Sequence, residues 1–225
     1  MELILAIDLR GGLVVHGSGG ARDSYRPLDW GLSASAEPES YVASIAPRHV
    51  YIADLDRIEG RGDHDHLLLR IAARVDHCFV DRGVRSPAGM LHDPRVTEVV
   101  GTETAAPMVE VLRHYPGGFL SLDIRDGVVI PFGLPPARLL SMAGDMAFDG
   151  CILLNLGGVG GAGGLLDDIE TLRDAYAGPL VYGGGIAGEP DLHRLLDAGF
   201  DGAIVATAVH RGAIPIEWVR RGAVC

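Results

Sequence analysis

Residues 5–15 read Leu5-Ala6-Ile7-Asp8-Leu9-Arg10-Gly11-Gly12-Leu13-Val14-Val15, and residues 120–130 read Leu120-Ser121-Leu122-Asp123-Ile124-Arg125-Asp126-Gly127-Val128-Val129-Ile130. Aspartate, arginine and glycine recur at the same steps, with Asp8 and Asp123 115 residues apart. Weaker echoes occur in the same order. Val80-Asp81-Arg82-Gly83-Val84-Arg85 pairs with Tyr182-Gly183-Gly184-Gly185-Ile186-Ala187, and Val99-Val100-Gly101-Thr102-Glu103-Thr104 pairs with Ile204-Val205-Ala206-Thr207-Ala208-Val209. Matches that recur in order along a chain are the signature of an internal duplication.

Working outward, short apolar runs alternate with stretches of helical period. The expected strands are residues 3–7, 49–53, 78–80, 96–100, 119–122, 151–154, 180–182 and 203–205. They show little polar alternation, as parallel strands buried on both faces do. Helices are expected at residues 37–45, 64–74, 105–114, 137–146, 165–175 and 191–198, with a short one at 87–92. Eight such units in 225 residues fit an α/β chain folded as a (β/α)8 TIM barrel with an internal half-barrel duplication. One domain is expected over residues 1–225, with half-barrels at about 1–115 and 116–225. A doubly wound open sheet is the structural alternative. A chain of this length hides roughly 70% of its unfolded surface, enough for a sizeable core.

Composition narrows the function. Nineteen basic residues face thirty acidic ones, for a net charge of -11. That balance argues against nucleic-acid or anionic-membrane partners. All nineteen bases are arginine. The absence of lysine excludes a Schiff-base aldolase, a pyridoxal-phosphate enzyme and a Walker-type P-loop, each of which needs a lysine amine. Cys78, Cys151 and Cys225 stand far apart without a CxxC pair, so they read as buried thiols of a reducing compartment. The first residues, Met-Glu-Leu-Ile-Leu-Ala-Ile-Asp, lack the basic start and cleavage region of a signal peptide. No apolar run approaches 18 residues. A soluble cytoplasmic protein is expected, and no particular oligomer is indicated.

In such a barrel the active site lies at the carboxyl ends of the strands. Asp8 closes the first strand and Asp123 the fifth, so they face each other across the mouth. Two carboxylates so placed can divide proton transfer, one ionised as base and one protonated as acid. Capping of the following turns is the bland alternative. Gly184 and Gly185 after strand seven, with Ala206 and Thr207 after strand eight, fit a phosphate cradle made of backbone N–H groups. The equivalent place in the first half offers Gly83, Arg85, Gly101 and Thr102, with Asp81 as an acid that would repel an anion. Asn155 after strand six can hydrogen-bond a ligand. The glycine-rich residues 157–164 can close over one, and Arg22 in the polar loop at 18–25 can reach it. One of Asp54 and Asp56 is expected to point into the mouth. Asp63-His64-Asp65-His66 reads as a solvated helix start, because histidines two apart do not share a helix face.

These motifs resemble the histidine-biosynthesis barrel (HisA/HisF) family over essentially the whole chain. Ala6-Ile7-Asp8-Leu9, Ala53-Asp54-Leu55-Asp56, Val100-Gly101-Thr102, Leu122-Asp123, Gly183-Gly184-Gly185-Ile186 and Ile204-Val205 stand where the family carries its signatures. The resemblance implies a half-barrel duplication, a small-molecule substrate bearing two phosphates, and catalysis without metal or organic cofactor. Cyclase members use lysines that this chain lacks, so the isomerase (HisA) side is closer. By the same resemblance Asp8 would be the base and Asp123 the acid of an aldose–ketose (Amadori) rearrangement. The family's Thr-Asp and Asp-Gly-Thr signatures at strand six are replaced by Leu154-Asn155-Leu156-Gly157-Gly158-Val159-Gly160-Gly161. Its first phosphate loop, Gly-Gly-Gly-Ile-Arg, is replaced by Asp81-Arg82-Gly83-Val84-Arg85. The chain therefore resembles a diverged paralogue, of a kind associated with one-carbon carrier metabolism. A cofactor-free lyase or synthase on a smaller, singly phosphorylated substrate is the alternative expectation, and a non-catalytic phosphate-ligand-binding barrel is a further one.

Overall fold

A computed structural model describes residues 1–17, 22–105, 107–160 and 164–224. Residues 18–21 of the polar loop, residues 161–163 of the glycine-rich loop and Cys225 lie outside the described residues. Eight parallel strands form the wall: β1 (Glu2–Arg10), β2 (His49–Asp54), β3 (His77–Asp81), β4 (Thr97–Gly101), β5 (Phe119–Arg125), β6 (Gly150–Asn155), β7 (Leu180–Gly183) and β8 (Gly202–Val205). Each pairs with the next in sequence. β8 then returns to β1, with Leu3 opposite Ala203 and Leu5 opposite Val205. That last pairing closes the sheet into a (β/α)8 barrel, so the open-sheet alternative does not hold.

The lack of polar alternation in the strands has a direct cause: both faces are buried. On β1, Leu3, Leu5, Ile7 and Leu9 pack outward against the helical layer, while Ile4 and Ala6 point into the barrel. Tyr51, Phe79, Val99, Ile152, Val181 and Ile204 fill the interior beside them. Burying one such side chain fully is worth about 1.5–3 kcal/mol. The inward series ends at the mouth, where alternation puts Asp8 of β1, Asp81 of β3 and Asp123 of β5 in the next inward positions.

The duplicated motif is a hairpin. In each half the strand runs past its aspartate, turns through two left-handed residues and returns as a short antiparallel strand. The turns are Gly11-Gly12 (φ 58° and 76°) and Asp126-Gly127 (φ 52° and 77°). The return strands are Leu13–His16 on β1 and Val128–Val129 on β5. Two central residues with positive φ match the twist of a tight hairpin, which is why glycine and aspartate recur there.

Most of the helices are shorter than their periodicity predicts, Glu189–Asp197 being an exception. Pro38–Ile45 opens with Glu37 accepting the N–H groups of Glu39 and Ser40, and ends where Ala46 turns left-handed. The helix expected over 105–114 is instead a single turn, Thr102–Ala105, and a 3-10 segment, Val109–His114. Pro107 lies between them and lacks the N–H that a continuous helix would use there. The helix expected over 165–175 starts only at Ile169, and ahead of it the Leu166 N–H donates to the Tyr182 hydroxyl at 2.9 Å. Among the described residues no helix is long and apolar enough to cross a membrane.

Two glycines separate strain from crowding. Gly127 has φ 77° with nothing near a would-be Cβ, whereas at Gly118 (φ 77°) that atom would fall 2.4 Å from the Glu98 carbonyl oxygen. Gly127→Ala is expected to cost about 1 kcal/mol and Gly118→Ala roughly 2–4 kcal/mol. Urea denaturation midpoints check the order, and equal losses would contradict it.

Candidate active site

The mouth encloses a cavity of about 140 Å³ whose wall includes Asp8, Asp81, Asp123, Arg22, Tyr25, Tyr51, Glu103, Arg125, Gly184, Gly185, Ala206 and Thr207. The structure thus brings the two sequence-predicted carboxylates and the predicted glycine-lined end to one space. It adds a third carboxylate. Asp81 is 8% exposed and belongs to this wall.

Each acid is held in its own way. Asp123 Oδ1 accepts the Ser121 hydroxyl at 2.9 Å, and Oδ2 accepts the Glu103 N–H at 2.8 Å. Its own N–H donates to the Thr102 hydroxyl at 3.0 Å. Asp81 Oδ1 accepts the Gly83 N–H at 2.9 Å and Oδ2 accepts the Tyr51 hydroxyl at 3.3 Å. Gly101 makes the pair possible. A Cβ there would lie 3.1 Å from Asp123 Oδ2 and 3.2 Å from Asp81 Oδ2, so a side chain would occupy the room the two oxygens need.

Burial raises all three. Asp123 is pushed to about 7, by burial first and then by the charge of Asp81, against its hydrogen bonds from Glu103 and Ser121. Asp8 rises to about 6 through burial, with Arg22 pulling down and Asp81 adding a smaller push up. Asp81 also reaches about 6, burial outweighing the Gly83 N–H and the Arg22 charge. Arg22 is the cation that acts on Asp8 and Asp81. Its guanidinium binds Glu103 at 2.6 and 3.2 Å. An acid near 7 beside acids near 6 gives proton donors and acceptors at neutral pH.

The opposite side of the cavity is backbone. Gly184 and Gly185 have φ 87° and 85°. A Cβ would meet the Asn155 carbonyl oxygen at 2.1 Å in the first case and that of Gly164 at 2.0 Å in the second. Only glycine lets this loop lie against the end of β6. The helical turn Thr207–His210 beside it is anchored from below. The Leu32 N–H donates to His210 Nδ1 at 3.2 Å, so Nε2–H is left to donate to the Tyr41 hydroxyl at 2.7 Å. Burial, then the charge of His16, lowers His210 to about 4, so this ring is neutral at pH 7.

Five sequence-predicted residues do not line the cavity. Gly83 lies under the loop, its would-be Cβ 2.8 Å from Ile58 Cα. The Arg85 guanidinium donates to the Gly83 and Ile58 carbonyls at 3.4 and 3.0 Å. Gly101 and Thr102 serve the carboxylates, the first by leaving room and the second by accepting the Asp123 N–H. Asn155 Nδ2 donates to the Gly164 carbonyl at 3.4 Å, tying down the glycine-rich loop, whose Val159 and Gly160 reach the cavity. The expectation for Asp54 and Asp56 is corrected: neither lines the mouth. Asp54 is fully buried on the outer side, accepting from the Arg57 and His64 N–H groups, while Asp56 accepts the Gly11 N–H at 2.6 Å. The solvated helix start is corrected too. His64 accepts the Gly12 N–H at Nε2 (3.0 Å) and donates from Nδ1 to Asp54 (2.8 Å), bracing the β1 hairpin. Cys78 and Cys151 are buried and pushed up to about 12 by burial, which keeps them as thiols.

Sequence reasoning missed Asp81 as a member of the carboxylate group, together with Tyr51, Tyr25 and Glu103. For Asp81 a signal was present, since it is the acid standing where the second half has Gly183.

Residues 2–215 match the histidine biosynthesis protein family. An uncharacterized protein of Methanocaldococcus jannaschii is 31% identical over 226 residues, covering 96% of each chain. The 1-(5-phosphoribosyl)-5-((5-phosphoribosylamino)methylideneamino)imidazole-4-carboxamide isomerase of Haloarcula marismortui is 28% identical over 235 residues, covering 96% of this chain and 94% of its own. The isomerase of the same name from Acidothermus cellulolyticus is 27% identical over 240 residues, covering 96% and 95%.

An acid raised from 3.8 to about 7 keeps, in the fold, a proton that the unfolded chain has released. Its contribution is therefore full below the unfolded value and is lost as pH climbs through the interval. Asp123→Asn cannot ionise. It is expected to be more stable than the parent at pH 8, by up to about 4 kcal/mol, with the gain vanishing near pH 4. Thermal melts across that range check it, and a variant less stable than the parent at pH 8 would contradict the assigned burial of charge.

Proposed function

Because the chain belongs to the histidine biosynthesis protein family, we propose that it is an aldose–ketose isomerase of the Amadori type, acting on a phosphorylated aminosugar or ribotide. The observation that carries this reading is the pair Asp8 and Asp123, delivered by opposite strands to one cavity with different proton affinities. The substrate's phosphate lies against the Gly184–Gly185 backbone and the Ala206–Thr207 segment, and the sugar reaches toward the carboxylates.

Asp123, the higher of the two, protonates the ring oxygen, and the C1–O bond breaks as the nitrogen lone pair forms a C1=N iminium. Asp8, ionised, takes the proton from C2, and that electron pair becomes a C1=C2 bond while the nitrogen regains its own pair. Return of a proton to C1 and loss of one from the C2 hydroxyl give the aminoketose. No atom is gained or lost, and no metal or organic cofactor is required. The rearrangement needs one donor and one acceptor near neutrality, which two acids with different neighbours supply: the Arg22 charge draws Asp8 down and the Asp81 charge pushes Asp123 up.

Asp8→Asn and Asp123→Asn are each expected to lower kcat about 1,000-fold in an assay on N-substituted 1-aminoribose 5-phosphates, with the fold unchanged by circular dichroism. Retained turnover in both variants would sink the reading. For the parent, kcat/KM should follow a bell with limbs near pH 6 and 7, belonging to the carboxylate set as a whole. A flat profile between pH 5 and 8 would remove Asp8 and Asp123 from the proton transfers.

A further inference from the structure

Strand register gives the two halves a common frame. From Asp8 the pairing runs through Ala53 of β2 to Asp81 of β3. From Asp123 it runs through Leu154 of β6 to Gly183 of β7. Asp81 and Gly183 are therefore equivalent positions, one carrying a carboxylate into the mouth and the other no side chain.

Their surroundings differ accordingly. In the first half the groups that would meet an anion are already taken. The Gly83 N–H donates to Asp81 itself, and the Glu103 N–H donates to Asp123. The Arg85 guanidinium donates to two carbonyls. Arg82 is buried and turned outward to Glu98, Asp65 and the Gly89 carbonyl. In the second half Gly184, Gly185, Ala206 and Thr207 line the cavity with no acid among them.

We propose that Asp81 is the specificity-determining residue of this site: it closes the first half-barrel to phosphate and fits the mouth to a substrate with one phosphate, held at the Gly184–Thr207 end, and a hydrogen-bond-donating hydroxyl or amine at the other. This rests on the proposed function, in which the glycine-lined end holds the substrate's phosphate. A second phosphate in the first half would meet the Asp81 carboxylate at close range in a partly dehydrated cavity, where like charges repel strongly. A hydroxyl or ammonium group there would instead donate to it.

The test is calorimetric titration of the full chain with inorganic phosphate at pH 7.5, for the parent, Asp81→Gly and Asp81→Asn. The parent should bind one phosphate and Asp81→Gly two. Asp81→Asn, which keeps the side chain's shape without its charge, should bind the second at least tenfold more weakly than Asp81→Gly. Two phosphates on the parent, or no additional phosphate on Asp81→Gly, would overturn the proposal. None on the parent but one on Asp81→Gly would uphold Asp81 as the barrier while removing the glycine-lined end as a phosphate site. Should Asp81→Gly fail to fold, a second phosphate on Asp81→Asn upholds the proposal and its absence overturns it.

Discussion

Crowding three carboxylates into the mouth of one barrel, two of them buried, is the constraint that organises this region. A charged carboxylate in a low-dielectric space is costly unless it is paired, hydrogen-bonded or protonated, and the chain uses all three remedies. Arg22 supplies a cation. Ser121, Tyr51 and the N–H groups of Gly83 and Glu103 supply donors. The remainder appears as raised proton affinity in Asp8, Asp81 and Asp123. The same physics suits these groups to proton transfer, because an acid protonated near neutrality can give up a proton there.

The duplication sharpens this into an asymmetry. Two half-barrels built on one plan would present the same mouth twice. Here the first half has turned its backbone donors onto the mouth's carboxylates, Gly83 onto Asp81 and Glu103 onto Asp123, and the second half presents glycine backbone to the cavity. The distinction is made by the pair Asp81 and Gly183 in equivalent register. Gly101, by leaving room between Asp81 and Asp123, allows the first half to hold its extra charge.

Much of the fold is legible in residue order. Continuous apolar runs mark strands buried on both faces, and the Asp-x-Arg-x-Gly repeat marks equivalent strand ends. Alternation then sends Asp8 and Asp123 inward without further information. The helices after β4 and β6 are not legible at their true lengths. Pro107 interrupts the first, and the second begins only at Ile169, neither of which a pattern that counts apolar residues alone reveals. Arg85 reads as facing a ligand because arginine suits phosphate, yet its guanidinium caps the carbonyls of Gly83 and Ile58. Loop side chains obey the acceptors nearest to them in space, and sequence spacing does not reveal which these are.

By itself, the sequence determined the barrel, its twofold plan and the opposed pair Asp8 and Asp123, since strand alternation and the internal repeat are local properties written in residue order. Only the tertiary structure decided that Asp81 joins that pair, that Asp54 and Asp56 leave the mouth, and that His64 braces the first hairpin. Those outcomes depend on register between strands and on which donors a loop finds when it folds back. Both are set by packing between residues far apart in the chain.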